Sequence, residues 1–460
     1  DAPSFSTTDF DISNRPKTAR SVNWSGIPEW TVEGEAGADQ RTPDLTAIVQ
    51  EIVDRDGWSE GNAMAFIFEG TGTRTAEAFD GEAAFAPALV VTFIGEQTGS
   101  PVERMRLSWS DDPATTMTVV WDQVRGNAIS VRYDLYNAEE GCPNDPATFS
   151  MEQAPDRITP YRGMNNHITK LTGLTPNTDY RFVVVGDQGN SDCSWFRTAP
   201  DAPMPFTYIT GGDTKSSGDP LEAGRYSNRM VAKLRPLFVL FTGDYNSGDG
   251  TDDAFWQQWL NDWSEQSRSL DGRMYPIIAV HGNHEDGDFE MLYNLFDSGN
   301  RDPQQPAQYS YDAFSVGGNL LRVINLNSQL FLNGMVDAHE RQIQWLAEEL
   351  AGSAAHTFKV AGYHKPIRPH TATKAENDHL LAWADLFDQY GLSIAYESDT
   401  HNHAITFPLR RSDGEDNVMG FVRDDENGTM YIGEGSWGAM PRPDNDDKIW
   451  TLDSASMNQI

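Results

Sequence analysis

The tetrapeptide Gly282-Asn283-His284-Glu285 follows directly on an apolar run at 275–280. An apolar, β-branched run that ends in Gly-Asn-His reads as a buried strand delivering polar groups into a cleft at its C-terminal end. All of the ten histidines except His167 lie between His281 and His403, which concentrates the neutral nitrogen ligands around this point. The same pattern recurs. An apolar stretch at 206–210 leads into Gly211-Gly212-Asp213, and one at 237–242 leads into Gly243-Asp244. Val360-Ala361-Gly362-Tyr363 ends in His364, and Asp399-Thr400 precedes His401-Asn402-His403. Two carboxylates, an Asn oxygen and three imidazoles match a site for two divalent or trivalent metal ions, with Asp244 as the bridge. Such a pair clamps a phosphate and makes a bound water acidic enough to act as a nucleophile.

These residues need a scaffold of strands that end together. From residue 206 onward, apolar strands alternate with amphipathic helices. Strands are expected at 206–210, 237–242, 275–280, 320–325, 357–361, 392–396 and 431–433, with helices at 221–234, 252–267 and 338–350. That alternation predicts an α/β domain over 206–460 with stacked, mixed β-sheets flanked by helices.

Two modules precede it. Residues 98–199 contain short strands (105–109, 117–121, 130–133, 180–185) joined by Asp/Pro/Gly/Asn turns at β-sandwich intervals. No chemistry is visible there, and the module reads as a spacer or lid. Cys142 and Cys193 are the two cysteines of the chain and both fall within it. A pair confined to one strand-rich module reads as a disulfide and hence as an exported protein, with two free buried thiols as the alternative. Residues 1–97 are expected to form a β-rich accessory module. Asp44 can cap an amphipathic helix over 44–53, and strands are expected at 63–70 and 88–94. A packing role is its default, with carbohydrate binding or anchoring as the alternative.

Length and charge narrow the classes. A chain of 460 residues predicts two to three domains. Sixty-nine acidic against 34 basic residues give a net charge of −35, which repels nucleic acid and anionic membranes at a distance. The surface therefore suits saline water and predicts neither a nucleic-acid scaffold nor a membrane partner. No apolar stretch approaches a membrane span, so a soluble chain is expected. It begins at Asp1 without a basic-then-apolar leader, so a secretory signal, if one existed, has already been removed. The cysteine pair makes secreted, periplasmic or cell-surface the expected location.

The strand-end motifs together resemble a calcineurin-like metallophosphoesterase over 206–438. The run Leu171-Thr172-Gly173-Leu174-Thr175-Pro176-Asn177-Thr178-Asp179-Tyr180 is similar to a corner of fibronectin type III domains. The combination most resembles bacterial purple acid phosphatases. Gln342-Ile343-Gln344-Trp345-Leu346-Ala347-Glu348-Glu349-Leu350 and Ile432-Gly433-Glu434-Gly435-Ser436-Trp437-Gly438-Ala439 resemble a helix and a late strand-turn of that family. The resemblance implies a first metal held by Asp213, Asp244 and His403, and a second held by Asp244, Asn283, His364 and His401. It implies that His284 protonates the leaving alkoxide, with Glu285 orienting His284 or facing substrate, and that His370 faces the substrate. Arg368 is a candidate phosphate clamp.

Departures from the family pattern bear on the metals. The family's ligand tyrosine falls three residues after the bridging Asp, where this chain has Ser247; Tyr245 is the alternative ligand. The first motif reads Asp213-Thr214-Lys215, with Lys in place of the superfamily's His. These differences weigh against a ferric tyrosinate and leave Fe, Zn or Mn, with Ca also allowed, as candidates for the two ions. Glu397 and Asp399 read as solvent-facing loop carboxylates, with a supplement to the metal shell as the alternative. The expected function is a secreted binuclear metal-dependent phosphoesterase that hydrolyses small monoesters or diesters by attack of metal-bound hydroxide. The alternative is a surface-binding or adhesive protein whose phosphoesterase-like domain has lost its first metal site. The sequence leaves the oligomeric state open.

Overall fold

The computed structural model describes residues 5–31, 37–58, 62–76, 78, 86–89, 91, 100–215, 218–248, 252–299, 310–433, 435–445 and 448–457. The chain divides into two compact units, Asp1–Gln97 and Thr98–Ile460. In the first, helix α1 (Thr46–Val53) forms as expected, and the Asp44 carboxylate accepts from Thr46 N at 2.8 Å. Glu51 on this helix accepts from the backbone of Ala19 and Arg20, tying an extended segment to it. The strand expected at 63–70 does not form, because no described segment pairs with it. The strand expected at 88–94 falls mostly outside the described residues.

The second unit begins with the sandwich: β1 (Val102–Ser108), β2 (Met117–Gln123), β3 (Ala128–Leu135), β4 (Met151–Gln153), β5 (Arg157–Tyr161), β6 (Met164–Leu171), β7 (Asp179–Gly186), β8 (Gly189–Asn190) and β9 (Ser194–Arg197). Cys142 and Cys193 are joined by a disulfide beside Phe149 and Val183. Then come β10 (Ile209–Gly211), α2 (Gly218–Leu234), β11 (Val239–Phe241), α3 (Asp253–Gln266), β12 (Pro276–Ala279), α4 (Met291–Phe296), β13 (Asp312–Val316), β14 (Leu321–Asn325), α5 (Val336–Gly352), β15 (Phe358–Gly362), α6 (Leu381–Tyr390), β16 (Ile394–Glu397), β17 (His403–Thr406), β18 (Leu409–Arg411), β19 (Phe421–Arg423), β20 (Met430–Gly433) and β21 (Thr451–Ala455). Each strand and helix expected in this half is present, with ends shifted by a few residues.

Two seven-stranded sheets dominate, in the orders β10-β11-β12-β1-β2-β6-β5 and β13-β14-β15-β16-β20-β17-β21. The first order corrects one expectation. The sandwich is not a detached spacer or lid, because β1 pairs in parallel with β12, Leu107 opposite Pro276 and Ser108 opposite Ile277. Its strands complete the sheet that presents Asp213, Asp244 and Asn283. Trp109, just past β1, packs 5.2 Å from Phe238 of the first sheet and 6.5 Å from Phe314 of the second (ring centroids). One continuous apolar cluster therefore joins Val131, Phe182 and Phe196 of the sandwich to Leu240, Val323 and Val360 of the α/β half. Burial against both sheets, at roughly 25 cal/mol per Å² of apolar surface, makes the sandwich part of one folding unit.

Candidate metal centre

The parallel strands β10, β11 and β12 run side by side, and so do β14, β15 and β16, so their C-terminal ends gather at one edge. Asp213, Asp244, Asp399 and His401 follow strand ends and take left-handed backbone conformations, with φ of 66°, 56°, 71° and 56°. Such conformations cost about 1–3 kcal/mol each for non-glycine residues and collect at functional sites. Gly243, with φ of 94°, lets the chain reverse: a Cβ there would meet Gly282 Cα at 2.7 Å and His364 Nδ1 at 3.0 Å. Gly282 serves the same close approach from the other side, since its Cβ would stand 2.4 Å from Asp244 Oδ1.

Three of the expected ligands converge. Among the described residues, Asp213, Asp244 and His364 bring one ligand atom each within 4.8 Å of one another, and all three are buried. His364 Nδ1 lies 2.9 Å from the carbonyl of Thr242, which as the acceptor fixes the proton on Nδ1 and turns Nε2 inward. Nε2 then lies 3.2 Å from Asp244 Oδ1. By strict geometry His364 Nε2 and Asp213 Oδ1 lack a hydrogen-bond partner although fully buried. Orphaned polar atoms of this kind, two anions and an imidazole, suit a bound cation. Burial alone would raise the Asp244 carboxyl, but the charge of the His364 imidazole 3.2 Å away, with His284 behind it, holds it well below the carboxylate range. The same two carboxylates overcome the burial of His364 and raise its imidazole.

His401 joins on the Asp213 side. Its Nε2 is 3.3 Å from Asp213 Oδ1, and its Nδ1 is 3.1 Å from the Met440 carbonyl. This is the position expected for His403. His403 instead pairs with Ala455 of β21 and turns Nε2 toward Asp453 Oδ2 at 3.5 Å, so it stands outside the cluster. Asn283 keeps its Oδ1 at the site, where Lys365 Nζ donates to it at 3.0 Å. His284 is partly exposed, with Nε2 3.8 Å from Asp244 Oδ2, while its backbone N–H donates to Asp244 Oδ1 at 2.9 Å.

Several expectations are corrected. Glu285 neither orients His284 nor faces substrate. It is fully buried and accepts from the backbone N–H groups of Asp244, Tyr245 and Gly282, clamping the two motif turns together. Burial and the charge of Asp244 raise its carboxyl to about 8. Tyr245 is not a ligand: its ring packs among Phe241, Trp256, Trp259 and Phe296, and its hydroxyl is buried without a partner. A one-residue offset from Asp244 sends the side chain to the opposite face. His370 is buried against Trp450 and hydrogen-bonds Thr451 Oγ1 at 2.9 Å. Arg368 is consumed by structure: it donates to the carbonyls of Met419 and Ile367 and pairs with Glu376 and Asp378.

Glu397 and Asp399 are buried rather than solvent-facing. Glu397 accepts from Tyr363 Oη and Ile367 N, anchoring the segment after His364. Asp399 enters the site itself. Its N–H donates to Asp213 Oδ2 at 2.9 Å, and its Oδ1 lies 3.6 Å from His364 Nε2, 3.1 Å from Lys365 Nζ and 2.6 Å from Lys374 Nζ. Sequence reasoning missed the two lysines, although Lys365 directly follows a ligand histidine at a strand end.

Residues 180–403 match the family profile described as calcineurin-like phosphoesterase, and residues 102–198 match purple acid phosphatase, N-terminal domain. The chain thus carries a calcineurin-like phosphoesterase domain preceded by a purple-acid-phosphatase-type N-terminal domain. An uncharacterized protein of Mycobacterium tuberculosis, found in two strains, is 26% identical over 330 residues, covering 61% of this chain and 59% of its own. The chain thus spans less than two thirds of the length of the curated relatives it matches. Among solved structures, the purple acid phosphatase from yellow lupin (Lupinus luteus) seeds aligns with a TM-score of 0.60 at 14% identity, over 78% of this chain and 69% of that one. PhoD aligns with a TM-score of 0.52 at 12% identity, over 75% and 79%. At these identities the two structures share the fold.

Proposed function

We propose that the protein is an exported, metal-dependent hydrolase of small phosphate esters. The observation that carries this is the buried convergence of Asp213, Asp244 and His364 at the joined strand ends of a calcineurin-like phosphoesterase domain. These three would hold one ion, with His401 beside Asp213. Asp399, 3.6 Å from His364, and Asn283, reached from Asp399 through Lys365, would complete a second position. When bound, such ions set positive charge against phosphoryl oxygens and bring the pKa of a water toward neutrality. Iron, zinc, manganese or calcium would suit these oxygen and imidazole donors, and the absence of Tyr245 from the site weighs against a ferric tyrosinate.

The chain's own residues do the rest. His284, partly exposed beside Asp244, is placed to hand a proton to the departing alkoxide. Glu285 holds the Asp244 and Gly282 turns in register, which fixes where that proton arrives. The Cys142–Cys193 disulfide and the strongly acidic composition support an exported protein.

A second reading keeps the fold but loses one ion, leaving a surface-binding protein. The turning of His403 toward Asp453 and of Tyr245 into the core favours it. Incubation with p-nitrophenyl phosphate and bis(p-nitrophenyl) phosphate, with and without chelator, tests the enzyme. Turnover that chelation abolishes and metal restores is expected. Chelator-insensitive turnover, or none with any of the four metals, would sink the proposal. Elemental analysis separates the readings: two ions per chain favour the hydrolase, none or one the binding protein.

A further inference from the structure

The metal chemistry leaves two cations unexplained. Lys365 and Lys374 both place Nζ on Asp399 Oδ1, and Lys365 Nζ also reaches Asn283 Oδ1. Their side chains keep 16% and 23% of their exposure, so both ammonium groups stand at the rim between the buried ligands and solvent. One ammonium group is enough to balance a buried carboxylate. Arg442 adds a third cation, its Nη1 donating to the Asp399 carbonyl.

The segment holding these lysines is built to stay in place. Lys365 N donates to Ser328 Oγ at 3.0 Å. Lys374 lies in a loop closed by Asn377, which donates to the carbonyls of Pro366 and Ile367. Arg368 braces the same loop through Glu376 and Asp378. Ordering two long side chains at one carboxylate costs rotamer entropy that a merely solvated lysine would not incur.

Charge balance gives the lysines a purpose. Asp213, Asp244 and Asp399 against Lys365, Lys374 and Arg442 leave the side chains of the centre balanced. Two divalent ions would add a strong positive excess, suited to a dianion. Without the lysines, the same ions would leave an excess two charges smaller and less suited to a dianion. A phosphate monoester carries close to two negative charges near neutral pH, and a diester carries one. We propose that Lys365 and Lys374 clamp the phosphate of the substrate and make this site selective for dianionic monoesters over monoanionic diesters. The proposal rests on the phosphoesterase reading above. Asp399 and Asn283 are the partners that hold the ammonium groups at the rim until an anion arrives.

The test uses the full chain carrying Lys365→Met or Lys374→Met, each keeping the apolar stem, and Lys374→Arg, keeping the charge. The kcat/KM ratio for p-nitrophenyl phosphate over bis(p-nitrophenyl) phosphate should fall at least about tenfold in each Met variant, mostly through monoester KM, and Lys374→Arg should restore most of it. Metal content should be unchanged. A ratio that moves less than about threefold would overturn the clamp. So would a rise in metal content in Lys365→Met, which would mean that the ammonium sits where an ion belongs. Inorganic phosphate provides a readout independent of turnover. It should raise the Tm of the wild-type protein, and this shift should shrink in both Met variants. If the wild type hydrolyses neither ester but shows the lysine-dependent Tm shift, the enzyme reading fails and the clamp stands as an anion site. If phosphate gives the wild type no shift, the clamp fails.

Discussion

His364 Nε2 stands 3.2 Å from Asp244 Oδ1, although the two residues follow strands of different sheets, β15 and β11. The centre forms where the two sheets meet, so each metal-binding half depends on the other sheet. His364→Ala should therefore cost at least one of the bound ions and shrink the Tm difference between metal-loaded and chelated protein. Elemental analysis with thermal melts checks this; full metal content in the variant would place the imidazole outside the shell.

His284→Ala should leave the metals bound and lower kcat by about 10²- to 10³-fold for an alkyl phosphate. The loss should be smaller for p-nitrophenyl phosphate, whose leaving group needs less protonation. Equal losses for both substrates would remove His284 from the donor role.

Glu285 gives the metal-free protein a pH signature. Its folded carboxyl, raised to about 8, lies above its ordinary value, so its contribution to stability is complete below the ordinary glutamate range and is lost as pH rises through about 8. Chelated protein should thus unfold at lower denaturant concentration at pH 9 than at pH 6, and Glu285→Gln should flatten the difference. Bound cations stabilise the anions of this cluster and should flatten it in the wild type as well. A stability that climbs from pH 6 to pH 9 would contradict this account.

Trp109 links the sandwich and the α/β half by packing between Phe238 and Phe314. Trp109→Ala should cost about 3–5 kcal/mol. Unfolding of Thr98–Ile460 should be followed identically by far-ultraviolet circular dichroism and by loss of activity, in one transition. Two separated transitions would show the sandwich to be an independent domain.

A net charge of −35 would slow capture of the anionic substrates proposed above at low ionic strength, because it repels them beyond the local lysines. Activity should hold or rise as salt screens that field. A steep fall in kcat/KM between low and moderate salt would contradict it.

The sequence by itself determined the strand ends, the order of the ligand motifs and the resemblance to calcineurin-like phosphoesterases. An apolar run followed by Gly-Asp or Gly-Asn-His is a local signal, readable because strand formation and the turn after it depend on neighbouring residues. Asp213, Asp244 and His364 were legible in that way. Tertiary structure decided which of the remaining polar groups face the centre. Tyr245 and Asp244 are adjacent in sequence yet point to opposite sides of one turn, and His403 lies two residues beyond His401, at the start of β17, where β21 pairs with it. Glu285 and Arg368 look available in sequence because charged residues are ordinarily exposed, but backbone N–H groups bind the first and backbone carbonyls together with Glu376 and Asp378 the second. Asp399 is the reverse case, an acid that reads as solvated and becomes buried only when β16 brings it against Lys365, Lys374 and His364. The union of β1 with β12 has the same origin: parallel pairing between strands that lie far apart in sequence leaves no local trace, and only the packed sheet reveals it.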